Sequence, residues 1–298
     1  MKVQRRNTLL FFAFISPWLI GFVVFIAGPM LASLYLSFTK YTIVDAPRWV
    51  GWHNYEAIFR GWEPNFYNSV RVTVLYAVTA VPLTILVALA AALLLNVKGA
   101  RGISVFRTLF FLPSLLPAVA SAIIWAWLFN SRFGLLNRLW MLAFAREGPE
   151  WLHDERLALS CLVVMAVWGF GNTMMIFLAG LQDVPEALTE AARIDGAGPW
   201  ATFRHVTLPQ ISPVIFFNVV TGVIAALRVF TQAFVLSIGE ININRKATHF
   251  YVLNIYQDAF QNRWFGTACA LAWILLVVIV LVTAVQFHFR RKWVHYND

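Results

Sequence analysis

The chain has 298 residues, 60% of them hydrophobic and only 12% charged, with a mean hydropathy of +0.70 and a formal net charge of +9. That balance excludes an ordinary soluble globule, because too many long apolar runs lack a polar face, and the solvent they meet is lipid. The excess of Lys and Arg is not a nucleic-acid footprint either: it collects at the ends of apolar runs, where positive charge belongs in an integral membrane protein, and most of the 13 Trp read as interface anchors.

In chain order, Lys2, Arg5 and Arg6 precede an apolar run over residues 9–38. The charged start is signal-like, but the run is too long for a signal-peptide core and lacks a small-x-small cleavage site. A retained first span is expected, kinked at Pro17 and broken at Gly28-Pro29. Residues 39–68 are polar, aromatic and turn-rich, an external segment anchored at the interface by Trp49, Trp52 and Trp62. A second span is expected over 70–96, with Pro82 inside it, followed by a basic turn at Lys98 and Arg101. A third over 106–129 is interrupted by Pro113 and Pro117, read as kinks, and a second external segment covers 130–156. A fourth span is expected over 157–180, a fifth over 211–236 and a sixth over 264–289, with a third external segment over 237–263 and a basic end at Arg290, Arg291 and Lys292. Cys161 and Cys269 lie inside apolar runs and read as small buried hydrophobes, with no disulfide.

Six spans put both termini on one side. Basic residues divide evenly between the two sets of connecting segments. The inner set is shorter and therefore denser in charge, which favours cytoplasmic termini. No internal repeat, Gly/Ser linker or composition shift marks a second domain. The expected fold is all-α and membrane-embedded, a single transmembrane domain over 1–298.

The one long polar stretch between two late spans covers 181–210. Asp183 and Glu186 have capping-box spacing, with Pro185 in the first turn. Helix formers follow to Ile194, and Asp195-Gly196 offers a stop, with Gly196 free to take positive φ. Gly198-Pro199 starts a second helix from Trp200 to about His205, which Leu208-Pro209 ends. An ordinary structured loop and a docking site for another protein both fit this spacing.

Glu190-Ala191-Ala192, Asp195-Gly196-Ala197, Phe203 and Val206-Thr207-Leu208-Pro209 resemble the EAA signature of ABC-importer permeases, EAA-x-x-DGA followed by a spacer and I-x-LP, with Val206 standing for the usual Ile. Two other stretches resemble the sugar-uptake branch of that family: Ser37 to Tyr41 followed by Trp49 to Tyr55, and Phe133 to Asn137 followed by Trp151-Leu152. The resemblance implies a permease core of five spans preceded by one extra span. Between spans four and five it implies a cytoplasmic coupling helix, docking ATPases through Glu190, Ala191, Ala192, Asp195, Gly196, Ala197, Leu208 and Pro209. The implied partners are a second homologous permease, two ATP-binding cassette subunits and an extracytoplasmic solute-binding protein, in the inner membrane of the cell, with no nucleic acid involved. No cofactor is expected on this chain, and ATP and Mg belong to the partners.

The residues themselves agree with that division of labour. No G-x-x-x-x-G-K-[ST] phosphate loop is present, no His/Cys cluster has metal spacing, and no G-x-S-x-G elbow occurs. The chain reads as a transport subunit rather than an enzyme. If it does ATP-driven work, the nucleotide chemistry sits elsewhere and energy enters through the 181–210 loop.

Polar groups inside spans mark a path for solute. Arg228 is the sharpest case, with Gln232 at i+4 further out and Asn218 and Thr221 further in along the same span. Three readings stand for Arg228: snorkelling to headgroups, lining a polar cavity, and pairing with another subunit. The family commonly carries Gln in the L-Q-V-F run that here is Leu227-Arg228-Val229-Phe230, so no known sugar contact carries over; an acidic or phosphorylated substrate is one reading of the change. Trp168-Gly169-Phe170-Gly171-Asn172-Thr173 is the second candidate. Its glycines suit close helix packing, while Trp168 can stack on a sugar and Asn172 can bond hydroxyls. The rival function is a self-sufficient secondary carrier for a polar solute. Such a carrier would place carboxylates inside its spans, and every Asp and Glu here lies outside the apolar runs.

Overall fold

The computed structural model describes residues 2–97, 102–238, 243–244, 246–291 and 293–294. Lys98, Arg101, Arg245, Lys292 and His295, which enter the charge and histidine readings above, lie outside the described residues. Among the described residues the architecture is helical apart from one two-stranded antiparallel ribbon, which pairs Thr39 with Trp49 and Lys40 with Arg48. Four helices are long and apolar enough to cross a membrane: Leu10–Ser37, Phe66–Leu95, Ser212–Ser237 and Phe265–Arg290. Two bent pairs raise the number of candidate crossings to as many as six: Ile103–Leu115 with Ala118–Leu128, and Ala158–Trp168 with Gly171–Gln182.

The chain divides into two compact units. The first comprises residues up to 64 together with 255–277. Its frame is polar as well as apolar. The buried Asn54 side-chain amide donates to the carbonyls of Ser37 (2.8 Å) and Thr39 (2.9 Å), and the Ser37 hydroxyl meets the Tyr55 hydroxyl at 2.8 Å. Gly266 packs so tightly on the Thr39 carbonyl that any Cβ there would collide with it. Trp49, Trp52 and Tyr55 surround Phe38 at ring separations of 5.1–5.5 Å.

The second unit comprises 65–254 and the residues from 278 onward. The Phe66–Leu95 helix is its axis and packs against Ala158–Trp168, Gly171–Gln182 and Ser212–Leu227. Two apolar cores line its length. Val72, Tyr76, Ala80 and Val81 meet Ala158, Cys161 and Leu162; further along, Ala88, Ala91, Ala92 and Leu95 meet Met174, Phe177, Leu178, Leu181 and Ile211. The run of alanines lets the second set of helices approach closely. Gly171 takes this to the limit, since a Cβ there would lie 2.8 Å from the Phe110 carbonyl oxygen and 2.9 Å from the Phe111 Cα.

Prolines act differently from what the sequence suggests. Pro113 and Pro117 do more than kink a helix: the chain turns through 100° between Leu115 and Ala118. Pro117 holds Leu116 extended (φ −73°, ψ 135°), as the residue before a proline must be, and takes an extended ψ of 139° itself. Neither half can cross a ~30 Å hydrocarbon layer alone at ~1.5 Å per residue. Conversely, Gly28-Pro29 is not a break. A π turn over Val23–Ala27 precedes it, and the Gly28 amide bonds to the Val23 carbonyl five residues back. The widened turn relieves the clash between the proline ring and the carbonyl four residues earlier, so the helix runs through.

Candidate functional site

The 181–210 connector is built from local rules. The Glu186–Ile194 helix ends in a Schellman motif: the Ala197 amide donates to the Ala192 carbonyl (2.9 Å) and the Gly196 amide to the Arg193 carbonyl (3.0 Å), with Gly196 at φ +81°. Its start differs from the expected capping box. Pro185 occupies the N-cap and no side chain caps the helix. Asp183 is instead the C-cap of the preceding helix, with αR backbone and its amide on the Ala179 carbonyl, so it stands two residues too early to serve the next. The second helix also outlasts Pro209. It begins at Pro199, passes through a π turn over Phe203–Thr207, and continues over Leu208–Gln210 before a break at Ile211. As at Pro29, the wide turn holds the carbonyl four residues before the proline.

The connector shows a mixed face to its surroundings. Ala187, Glu190, Ala191 and Ile194 share one side of the helix, all exposed, with Ile194 87% exposed. Trp200 is 70% exposed and lies against Phe203 at 5.6 Å. Asp195 and Gly196 are exposed, while Ala192, Ala197, Leu208 and Pro209 are half-buried. Both ends are anchored: Val184 and Leu208 pack on the second apolar core, beside Leu181 and Ile211. A large aliphatic and an indole held in the open on an otherwise polar segment form a surface suited to a partner.

The second feature is a cavity of about 430 Å³ whose polar lining is Tyr76, Thr84, Thr173, Asn218, Arg228, Thr231 and Gln232. Three sequence candidates, Asn218, Arg228 and Gln232, meet here. Arg228 and Gln232 do not lie one turn apart on one helix, as the spacing predicts: the Ser212–Leu227 helix stops, Arg228 is its C-cap (φ −109°, ψ 14°), and a new helix runs over Thr231–Ser237. Arg228 thus sits where a cation complements the helix C-terminus. Asn218 is 4% exposed and spends one amide proton on the Val214 carbonyl at 3.1 Å. Trp168 and Asn172 are not in this lining; Trp168 packs edge-on against Trp125 at 5.7 Å, and Asn172 is exposed elsewhere. Thr173 closes the candidate stretch 168–173 and is its only member in the lining, whereas Thr84 escaped notice because threonine signals little in an apolar run.

Among the described residues no three His, Cys, Asp or Glu side chains converge as a metal site. A separate polar cleft of about 480 Å³ gathers Arg71, Asp154, Glu155, Arg156 and Lys246, with Lys246 and Glu155 paired at 3.3 Å. In the first unit Asp258 is only 2% exposed. Burial pushes its carboxyl up to about 6, the Asn262 side-chain amide (2.9 Å) opposes that, and Glu63 adds to it.

Comparison with known proteins places these features. Residues 67–295 match the family model described as "Binding-protein-dependent transport system inner membrane component". The chain is 41% identical over 295 residues to the probable ABC transporter permease protein YesP of Bacillus subtilis, covering 99% of this chain and 94% of that one. It is 31% identical over 303 residues to the sn-glycerol-3-phosphate transport system permease protein UgpA of Agrobacterium fabrum, covering 99% of both. Its fold matches a chain of a bacterial ABC transporter involved in the import of the acidic polysaccharide alginate, with a TM-score of 0.83, 21% identity and 98% of both chains covered. The match is as good when that transporter is in complex with an alginate pentasaccharide-bound periplasmic protein, with 98% and 96% covered. The chain therefore belongs to the inner membrane components of binding-protein-dependent transport systems, the permeases of ABC importers.

Proposed function

We propose that the chain is the transmembrane subunit of an ATP-driven importer for a sugar or related polar solute that an extracytoplasmic binding protein delivers. The observation that carries this is the connector's exposed face of Ala187, Glu190, Ala191 and Ile194, fixed by the Gly196 turn and anchored at both ends on the apolar core. In this reading each bent helix pair counts as one crossing. The chain is one transmembrane permease domain of six spans, with both termini and the connector in the cytoplasm.

Two partner ATPases receive the coupling helix through Glu190, Ala191, Ala192, Asp195, Gly196, Ala197, Leu208 and Pro209. Glu190 supplies a charge-assisted hydrogen bond and the alanines allow close backbone approach. Because Val184 and Leu208 are packed on the core that holds Leu181 and Ile211, displacing the connector tilts the helices at either end of it. A second homologous permease completes the pore. ATP and Mg act on the partners and this chain catalyses nothing. Asn218, Arg228 and Gln232, with Trp168 and Asn172 beyond the cavity, mark the path of the solute. The UgpA name and the oligosaccharide-bound periplasmic protein in the alginate complex support a polar, sugar-like cargo.

The test is co-purification of the importer from mild detergent, comparing the native chain with a Glu190→Lys, Gly196→Val double variant. The native chain brings down an ATPase and a second permease; the variant keeps the permease and loses the ATPase. A native chain that runs alone, with no ATPase activity in the eluate, refutes the proposal.

A further inference from the structure

Among the described residues, the cavity at the break between Leu227 and Thr231 holds one positive charge and no counter-charge. Arg228 is exposed, and among the described residues it makes no ion pair or side-chain hydrogen bond and shares the lining with no Asp or Glu. A guanidinium within a lipid-embedded bundle is paired, hydrated or kept for a ligand. The break favours the last. It frees Arg228 from the side of a continuous helix and sets it at a helix C-terminus, whose partial negative charge supports a cation without an acidic neighbour. Around it Thr84, Thr173, Asn218 and Gln232 offer neutral donors and acceptors against apolar walls, a lining suited to hydroxyl groups.

We propose that this cavity takes an acidic saccharide and that Arg228 selects it by receiving its carboxylate. The inference rests on the transport reading above and adds the chemical class of the cargo. Guanidinium and carboxylate share a planar, two-pronged geometry, so one Arg satisfies one carboxylate. A phosphate ester fits less well: it carries roughly −1.5 to −2 charges at neutral pH, and among the described residues the lining holds no second Lys or Arg. A neutral saccharide would displace water from the guanidinium and give it no charge in return.

The experiment profiles uptake in cells carrying the intact importer, with a strain lacking this chain as reference. The medium contains neutral oligosaccharides, uronate-bearing oligosaccharides and sugar phosphates, and depletion of each is followed by mass spectrometry. The expected result is chain-dependent loss of the uronate-bearing class. Arg228→Gln should slow that uptake roughly tenfold or more, as expected for a lost charge-assisted bond. Arg228→Lys should recover part of it by keeping the charge without the fork. Immunoblots of the membrane fraction and the Lys variant separate lost recognition from lost protein. Depletion of neutral sugars or sugar phosphates alone overturns the proposal and leaves the transport reading intact, as does wild-type uronate uptake by Arg228→Gln. If no class depends on the chain, the transport reading falls and the proposal with it.

Discussion

The connector over 181–210 and the cavity at Arg228 use opposite building methods. The connector takes its shape from neighbours in sequence: a Schellman stop, an N-terminal proline and a positive-φ glycine, with Ile194 and Trp200 turned out. The cavity takes its shape from distance. Its lining comes from the Phe66–Leu95, Ala118–Leu128, Ala158–Trp168, Gly171–Gln182, Ser212–Leu227 and Thr231–Ser237 helices and from the break between the last two. A docking surface can be local because its partner completes it; a solute site needs walls that the chain must bring together itself. Changes in the connector should therefore spare the fold and uncouple the protein, whereas changes near the cavity should act through packing or selectivity.

The largest expected contrast is between two glycines. Gly171→Val would drive a Cβ into the backbone of Phe110 and Phe111, which cannot step aside. It should cost about 1–3 kcal/mol of packing and lower the folded protein recovered on detergent gel filtration several-fold. Gly196→Val has nothing within 4 Å of its new Cβ and suffers only from φ +81°. Its strain of about 1–2 kcal/mol stays in the connector, so recovery of folded protein should match wild type.

Next in size, Ile194→Asp should reduce ATPase co-purification about tenfold by placing a charge in the docked interface, with folding unchanged because the residue is 87% exposed. Equal ATPase recovery would show that this face does not dock. Smaller still is the pair on adjacent positions: Thr173→Val, in the cavity lining, should raise the transport KM a few-fold through one lost hydrogen bond of about 1 kcal/mol, and Asn172→Ala, beyond the cavity, should raise it less. The reverse result would move the path to the other side of that helix.

The last prediction is a pH dependence. Burial lets Asp258 hold its proton to about pH 6 when folded, against 3.8 for an unperturbed aspartate. Between those values the folded state binds more proton than the unfolded one, so this group's contribution is fully present below pH 4 and is lost as pH rises through 6. Asp258→Asn should flatten the fall in melting temperature between pH 4 and 7, and an unchanged slope would assign that fall to other groups.

The same contrast explains what could be read from residues alone. Long apolar runs announce lipid-facing helices, and the first, second and last spans agree with the observed helices to within a few residues. Gly196 announces its own turn. Pro113 and Pro117 did not disclose a 100° corner, because a proline says that a helix is disturbed and not where the chain goes next. Asp183 matched a capping pattern whose outcome depended on where the preceding helix ended. Arg228 and Gln232 have helical spacing but stand on either side of a break. Thr173, rather than Asn172, lines the cavity because orientation about the helix axis is set by packing, which composition does not encode.

The π turn ahead of Pro209 has one more consequence. A π turn accommodates one residue more than an α turn, and each residue advances a helix by about 100°. If Phe203–Thr207 relaxed to α geometry, the Pro199–Thr202 turn would swing by about that angle relative to Leu208–Gln210. The proline makes that relaxation costly, since its ring needs the widened turn. Pro209 thus fixes the azimuth of the connector's second helix, in the manner of a key that seats a shaft in its hub.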